Sequence, residues 1–536
     1  MAQKSRARLP VDWSLYLVTD STPAILGDKD IVEVVDQAIE GGVTIVQYRD
    51  KHADTGVMVE IASKLHAVTQ KHNVPLLIND RLDVCQAVGA EGIHIGQDDM
   101  GCVEARKILG PDAIIGVTAS SVEEAQKAIE DGADYLGIGT TFATPTKTDT
   151  KSIIGTRGLQ EILAACATGT EKTVPCVAIG SINASNVQRV LHQSAHGSNR
   201  LNGVAVVSAI MASMDPQASA RSLLDLIKTA PEKFYAAVPP NTARITDFAN
   251  LIAQIPYIIK AHVSSSVLCH NMTNTVVQNF AANVCLATGS SPIMSENGPE
   301  APDLARLGGA LVINMGTATP DKMNAFTAGL RAYNAVGAPV LFDPVGGGAT
   351  AVRRDAVKTL LAAGFFSVIK GNESEIGAVA GTSTTRQRGV DSGPSVSTAE
   401  EKAKLVKAIA LREHCVVLMT GKTDYLSDGE RTVAIENGSQ YLGKITGSGC
   451  ALGSVIASYV AVHPQDKLLA ALAGILHYEI AAERAEARQD CRGPGSFIPA
   501  FLDELYLLGQ EIKDGRGIGS NGPFGRHVKA QMATAG

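Results

Sequence analysis

The chain has 536 residues, 45% of them hydrophobic and 19% charged, with a formal net charge of −7. That length exceeds what one hydrophobic core ordinarily supports, so two or more domains are expected, and the mild negative charge gives no overall reason for nucleic acid or an anionic membrane as partner. No run of about 20 apolar residues occurs, so no membrane span is expected, and nine scattered cysteines without a CxxC pair suit reduced thiols in a cytoplasmic protein rather than a zinc knuckle or disulfide framework.

The N-terminus, MAQKSRARLP, is basic and is followed by no apolar run resembling a signal-peptide core; a short organelle-targeting extension is the alternative. Short apolar runs then recur at intervals of roughly 20–40 residues. In order they are LYLVTD, TIVQYRDK, LLIND, GIHIGQDD, IIGVTAS, YLGIGTT, CVAIGS and GVAVVSA. Each is too short for an ordinary helix and rich in β-branched residues, as strands buried on both faces are. Helical patterns such as DIVEVVDQAIEGG and VEEAQKAIEDGAD separate them, several closing with Gly at the helix C′ position. Eight strand–helix units in about 235 residues predict a (β/α)8 TIM barrel, with an open doubly wound sheet as the alternative. In a barrel the polar residues after each run form the C-terminal rim, where active sites of this fold are built.

After the second run come Gln47, Arg49 and Lys51, spaced so that a continuing strand aims all three to one side. Two cations there suit an anionic substrate. Asn79 and Asp80 follow the third run and Gln97, Asp98 and Asp99 the fourth. Asp80 and Asp99 are candidate Mg²⁺ ligands, the metal bridging phosphate oxygens, while Asp98 reads as a solvated neighbour. Thr118 follows the fifth run, and TTFATPTKTDT after the sixth places Thr144, Thr146 and Lys147 on a polar loop. Gly180-Ser181 and Ser208 end the last two runs, where barrels bind phosphate through backbone N–H groups. His94, inside the fourth run, points either into the barrel or at the helices.

QYRDK, NDR, GIHIGQDD, GVTASS and TPTKTDT, in that order across residues 13–230, resemble the motifs of thiamine-phosphate synthase. The resemblance implies that hydroxymethylpyrimidine diphosphate is joined to a thiazole phosphate with loss of pyrophosphate. It implies pyrimidine diphosphate contacts from Gln47, Arg49, Lys51, Asn79, Thr118 and Lys147, and Mg²⁺ on Asp80 and Asp99. It further implies that Thr144, Thr146, Gly180, Val207 and Ser208 hold the thiazole phosphate. AIGSI departs from the family, which carries two consecutive glycines there; Ser181 keeps a backbone N–H to offer. The rim lacks a well-placed nucleophile or base, so the expected chemistry is ionisation to a pyrimidine-stabilised cation captured by the thiazole nitrogen.

FYAAVPPNTARIT carries a Pro-Pro pair between helical patterns. Residues 237–243 are expected to link a domain of residues 1–236 to one of residues 244–536. RITDFANLIAQIPYIIKAHV is helical in period, and strands are expected in ALVINMGT, APVLFDPVG, FSVIKGNESEI and CVVLMTGKTDYLSDG. This predicts an α/β domain with an open, mainly parallel sheet. Gly381 to Thr398 is polar and reads either as a mobile flap or as an inert surface loop. KITGSGCALGS reads as a loop opening into a helix whose N-terminal N–H groups favour an anion, with Cys450 at the first helical position. Asp343 with Asn372 and Glu375 near that loop points to Mg²⁺-ATP and phosphoryl transfer, with Asp343 toward the metal and Asn372 and Glu375 toward ATP.

CHNMTNTVVQNFAANVCLATGSSPIMSE, DPVGGGAT and TGSGC resemble hydroxyethylthiazole kinase, a ribokinase-like fold, across residues 245–520. The resemblance implies Met294 and Gly447 beside the thiazole, Arg353 and Thr420 at ATP, and Cys450 where other members of the fold carry Asp. Cys450 is the candidate catalytic residue, a weak base or a small group shaping the anion hole, with a nucleophile as the alternative. Asn283 is usual in the signature. It also implies active sites built between subunits, hence a homo-oligomer, a trimer or hexamer. Together the halves resemble the fungal-type bifunctional family of thiamine biosynthesis, with ATP as substrate, Mg²⁺ as cofactor and small molecules as partners. The alternatives are a barrel isomerase fused to another small-alcohol kinase, which would need a rim base, and a catalytically silent thiamine-sensing scaffold.

Overall fold

The eight apolar runs all become short parallel strands: β1 Leu15–Val18, β2 Ile45–Tyr48, β3 Leu76–Asn79, β4 Gly92–Ile95, β5 Ile114–Ala119, β6 Tyr135–Ile138, β7 Cys176–Ile179 and β8 Gly203–Val206. The computed structural model describes residues 11–142, 153–166, 174–196, 199–229, 245–381, 397–516 and 523–533. Strand β8 pairs back onto β1, Leu15 opposite Val204, so the sheet closes into a barrel and the open sheet is excluded. Alternation then sorts the side chains. Tyr16, Val18, Ile45, Leu77, Ile114, Tyr135, Val177 and Ala205 fill the interior, while Leu17, Val46, Ile78 and Leu136 face the helices. Two glycines make room inside: a Cβ on Gly116 would stand 2.0 Å from the Tyr135 ring, and one on Gly137 would stand 2.8 Å from His94 Cε1. His94 therefore points into the barrel.

The surrounding helices follow from local chemistry. Helix Ile31–Glu40 starts at Asp30, whose side chain accepts from the Val32 and Glu33 N–H groups. It buries Ile31, Val34, Val35, Ala38 and Ile39 on one stripe. Each large apolar side chain there contributes about 1.5–3 kcal/mol by leaving water.

The chain divides into two compact units, Met1–Phe234 and Tyr235–Gly536; the expected linker lies outside the described residues, as does most of the expected flap. The second unit holds β9 Leu268–Met272, β10 Ser291–Ile293, β11 Ala310–Asn314, β12 Val340–Asp343, β13 Val368–Asn372, β14 Val416–Thr420, β15 Asp424–Ser427, β16 Thr432–Ile435 and β17 Ala530–Met532. They form one sheet in the order β10-β9-β11-β12-β13-β14-β15-β16-β17, parallel through β14 and antiparallel beyond. CVVLMTGKTDYLSDG, expected as one strand, is a hairpin. Asp424 Oδ1 accepts from Gly421 N–H at 2.8 Å and closes the turn. Strand β9 escaped the apolar pattern because His270 and Asn271 lie within it, both buried and hydrogen-bonded, His270 Nε2 to the Ser295 carbonyl at 2.9 Å.

RITDFANLIAQIPYIIKAHV does form a helix, Phe248–Ser265, capped by Asp247. Helices Ser448–Val462 and Lys467–Glu486 are buried on nearly all sides and carry no amphipathic stripe. No helix among the described residues is long and apolar enough to cross a membrane.

Candidate active sites

At the barrel rim, Gln47, Asn79 and Thr118 occupy inward positions on β2, β3 and β5, with Gln47 and Asn79 buried. Strand β2 ends at Tyr48, so Arg49 and Lys51 do not continue its alternation as expected. Asp50 turns the chain by accepting from the His52 and Ala53 N–H groups, both at 2.9 Å. Both cations still reach the rim: Arg49 stands 4.0 Å from the buried Asp20, and Lys51 pairs with Asp80. Asp20 is a member of this cluster that the sequence reading passed over; its signal is the Thr-Asp pair closing the first run.

Asp80, held at φ 60°, and Asp99 come within hydrogen-bonding reach of each other. Desolvation and then Asp80 raise the Asp99 carboxyl above its ordinary range, with Lys51 opposing. Converging carboxylate oxygens of this kind fit Mg²⁺, which keeps several waters and needs few protein ligands. Among the described residues no three His, Cys, Asp or Glu side chains converge. Asp98 is exposed beside them.

Gly180 takes φ 117°, and a Cβ there would lie 2.6 Å from the Thr141 nitrogen. Ser181, the departure from the family pattern, adopts φ 51°, the left-handed conformation a glycine takes without strain. Its carbonyl is held by the Asn183 and Asn186 amides at 3.3 and 2.9 Å. Val207 and Ser208 open the short helix after β8. Thr144, Thr146 and Lys147 lie outside the described residues.

In the second unit the polar residues gather at the C-terminal ends of the parallel strands, where open α/β sheets bind ligands. Asp343 ends β12 fully buried, its Oδ2 accepting from Asn314 Nδ2 at 2.9 Å and Lys370 Nζ at 3.2 Å. Its Oδ1 is buried without a hydrogen-bond partner among the described residues, an orphaned hard oxygen that fits Mg²⁺. Lys370 was not among the expected site residues, though a lysine inside the apolar run FSVIKG is its signal. It supplies a buried cation beside the anion loop, since a Cβ on Gly449 would stand 3.5 Å from its Nζ.

Cys450 is the third residue of helix Ser448–Val462, not the first, because Gly447 caps that helix at φ 87°. Burial, then Asp343, pushes its thiol up to about 11 against the opposing pull of Lys370. Asn274 bridges Cys450 and Asn314, its amide 3.7 Å from Sγ and 3.0 Å from Asn314 Oδ1.

Asn372 and Glu375 have a local job. They form a capping box at helix Glu373–Ala380, and Glu375 Oε1 also accepts from Gly346 N–H at 2.8 Å. Burial, then Asp343, raises the Glu375 carboxyl to about 7. Arg353 gives its guanidinium to the carbonyls of Met315, Val345 and Gly316 at 3.0, 2.7 and 2.9 Å. Thr420 lies opposite Asn372 in register at the end of β14. Met294 follows β10 half-buried, and Asn283 donates to the Asn279 carbonyl at 3.0 Å within its own helix.

Residues 15–210 match the family described as thiamine monophosphate synthase, and residues 259–511 match the hydroxyethylthiazole kinase family. A Schizosaccharomyces pombe protein named "Probable thiamine biosynthetic bifunctional enzyme" is 44% identical over 515 residues, covering 94% of this chain and 96% of that one. The Saccharomyces cerevisiae "Thiamine biosynthetic bifunctional enzyme" is 38% identical over 533 residues, again covering 94% and 96%. A solved hydroxyethylthiazole kinase from Pyrococcus horikoshii is 32% identical and covers 52% of this chain and 99% of its own, with a TM-score of 0.45. With both families in sequence along one chain and relatives matched almost end to end, the chain belongs to the family of bifunctional thiamine biosynthetic enzymes, a thiamine-phosphate synthase followed by a hydroxyethylthiazole kinase.

Proposed function

We propose that the second unit phosphorylates the alcohol of hydroxyethylthiazole with ATP, and that the barrel joins the resulting thiazole phosphate to hydroxymethylpyrimidine diphosphate. The single observation that carries this reading is the pairing of two complementary sites in one chain: a buried Asp343–Lys370 pair behind the Gly447 loop, and cations with paired carboxylates on a barrel rim.

In the synthase, Arg49, Lys51 and Lys147 balance the diphosphate charge, and Gln47, Asn79 and Thr118 orient the pyrimidine. Asp80 and Asp99 would hold Mg²⁺, which supplies charge neutralisation to the departing pyrophosphate. The C–O bond to the diphosphate breaks, pyrophosphate leaves with the electron pair, and the thiazole nitrogen donates its lone pair to the pyrimidine carbon. Thr144, Thr146, Gly180, Val207 and Ser208 hold the thiazole phosphate.

In the kinase, Met294 and Gly447 border the thiazole, while Arg353, Thr420, Asn372, Glu375 and Lys370 frame the ATP side. Asp343 would hold the metal through its orphaned oxygen. Cys450 shapes the anion pocket as a small neutral thiol. A homo-oligomer based on a trimer is part of the proposal.

Purified protein supplied with the thiazole alcohol, Mg²⁺-ATP and the pyrimidine diphosphate should yield thiamine phosphate. Leaving out ATP should stop it unless thiazole phosphate is supplied. Product formed from the alcohol without ATP, or none under any combination, would sink the reading.

A further inference from the structure

A hydrogen-bonded chain runs beneath the barrel rim and joins two of the residues assigned to the pyrimidine. Gln47 Nε2 donates to Tyr16 OH at 2.7 Å, and Tyr16 OH and Tyr135 OH lie 2.7 Å apart. Tyr135 OH meets His94 Nδ1 at 2.7 Å, and His94 Nε2 meets Thr118 Oγ1 at 2.8 Å. Tyr16 is 1% exposed and Tyr135 0%. Burial lifts both phenols well above their ordinary range, so each keeps its proton.

A phenol has one hydrogen to give, and a neutral imidazole has one N–H and one lone pair in its ring plane. With Gln47 donating first, Tyr16 donates to Tyr135, and Tyr135 donates to His94 Nδ1. The imidazole then carries its proton on Nε2 and donates it to Thr118. Two groups are left unspent at the rim. Gln47 Oε1, which takes no hydrogen bond among the described residues, is an acceptor, and the hydroxyl hydrogen of Thr118 is a donor. With Gln47 donating, the opposite order along the rest of the chain would leave the buried Tyr16 hydroxyl hydrogen without an acceptor.

We propose that Tyr16, Tyr135 and His94 are positioning residues that fix the hydrogen-bond polarity of the pyrimidine site, an acceptor at Gln47 and a donor at Thr118. Such a site selects a ring that offers a hydrogen toward Gln47 and a lone pair toward Thr118. An aminopyrimidine, with an exocyclic N–H₂ beside an unprotonated ring nitrogen, has that pattern. Its oxo analogue, in which a carbonyl replaces the amino group and the neighbouring nitrogen carries the hydrogen, presents the same edge with donor and acceptor exchanged. The inference rests on the synthase reading above.

The test uses the full-length protein with saturating thiazole phosphate and either the amino or the oxo pyrimidine diphosphate. Wild type should prefer the amino compound by on the order of 10²-fold in kcat/KM, because the wrong polarity leaves buried polar groups unpaired. Tyr135→Phe cuts the chain at its middle and should bring that preference within about tenfold. The change should fall on KM for the amino compound more than on kcat. Tyr16→Phe should act alike, and the double variant should cost no more than either single one, as expected of residues acting as one unit.

Folding is read independently. Trp13, the sole tryptophan, packs on Tyr135 with ring centroids 4.4 Å apart, so its emission reports on the barrel floor. Kinase turnover of the same chain serves as a second control. Phe variants with native Trp13 emission and an unchanged amino-to-oxo preference, or additive losses in the double variant, would overturn the proposal. So would an active wild type with no preference. A wild type that makes no thiamine phosphate from the amino compound would instead overturn the synthase reading itself.

Discussion

Cys450 shows how one side chain's role is set by its neighbours. A thiol pushed up to about 11 by burial and Asp343 is protonated at neutral pH, which suits a pocket-shaping group better than a nucleophile. A helix N-terminus lowers a thiol's pKa, and desolvation outweighs that effect here. An alcohol attacking ATP needs positioning and charge stabilisation more than covalent help. A carboxylate is ionised at pH 7 and can serve as the weak base that a protonated thiol is not. Cys450→Asp should therefore keep kinase activity or raise it, while Cys450→Ala should weaken the kinase without abolishing it. Neither should alter synthase turnover. A phosphorylated Cys450 caught by mass spectrometry, together with a dead Asp variant, would make it a nucleophile. At the other site, Asp99→Ala should lower synthase kcat/KM on the order of 10²-fold by leaving the diphosphate charge unbalanced. Its kinase rate should stay near normal; equal losses in both assays would mark Asp99 as a folding residue.

Among the elements, four helices of the second unit, Phe248–Ser265, Ser448–Val462, Lys467–Glu486 and Pro494–Lys513, enclose two neutral histidines. His262, in helix Phe248–Ser265, bonds Ser458 Oγ at 2.8 Å and stacks on Tyr459. His477, in helix Lys467–Glu486, bonds Tyr459 OH at 2.6 Å and the Leu505 carbonyl at 2.9 Å. Burial lowers their pKa values to about 3 and about 4. The unfolded chain therefore binds more protons than the folded one below about pH 6.5. Their contribution is fully present above that pH and is lost as pH falls toward 4, at up to about 2.7 kcal/mol per pH unit when both titrate. The raised carboxyls of Glu375 and Asp424 act in the opposite direction over the same window, so the histidine contribution is read as a difference. From pH 7 to 5 the unfolding midpoint of the second unit should lose more, or gain less, in the wild type than in His477→Gln. The same pH dependence in both proteins would contradict the assignment. Neither histidine stood out in the sequence, because nothing in a local window shows that Ser458, Tyr459 and Leu505 will surround them. The Asn-x-x-Glu motif teaches the converse. It was legible as a pattern, yet its side chains first serve the start of a helix through the capping box.

At the scale of the molecule, two compact units each carry their own hydrophobic core and their own candidate site. A fragment ending near Pro240 should then make thiamine phosphate from preformed thiazole phosphate at a rate close to that of the full chain. A folded fragment with no activity, beside an active full chain, would show that the synthase function does not reside in the first unit alone. Two-step thermal unfolding by calorimetry should accompany such independence.

What the sequence determined is whatever repeats locally or survives as a short motif. The eight barrel strands were legible because each is a buried run with polar residues at its C-terminal end, and QYRDK, DPVGGGAT and TGSGC carry their chemistry within a few residues. Only the tertiary structure decided closure of the barrel, which needs β8 to find β1 across most of the unit. The same holds for the inward turn of His94, the ends of β2 and β14, and the seating of Lys370 against Asp343. A charged or polar residue inside an apolar run has no readable role until its partner, distant in sequence, arrives beside it in a low-dielectric interior. There an unpaired group costs several kcal/mol, so the partner decides what the residue does.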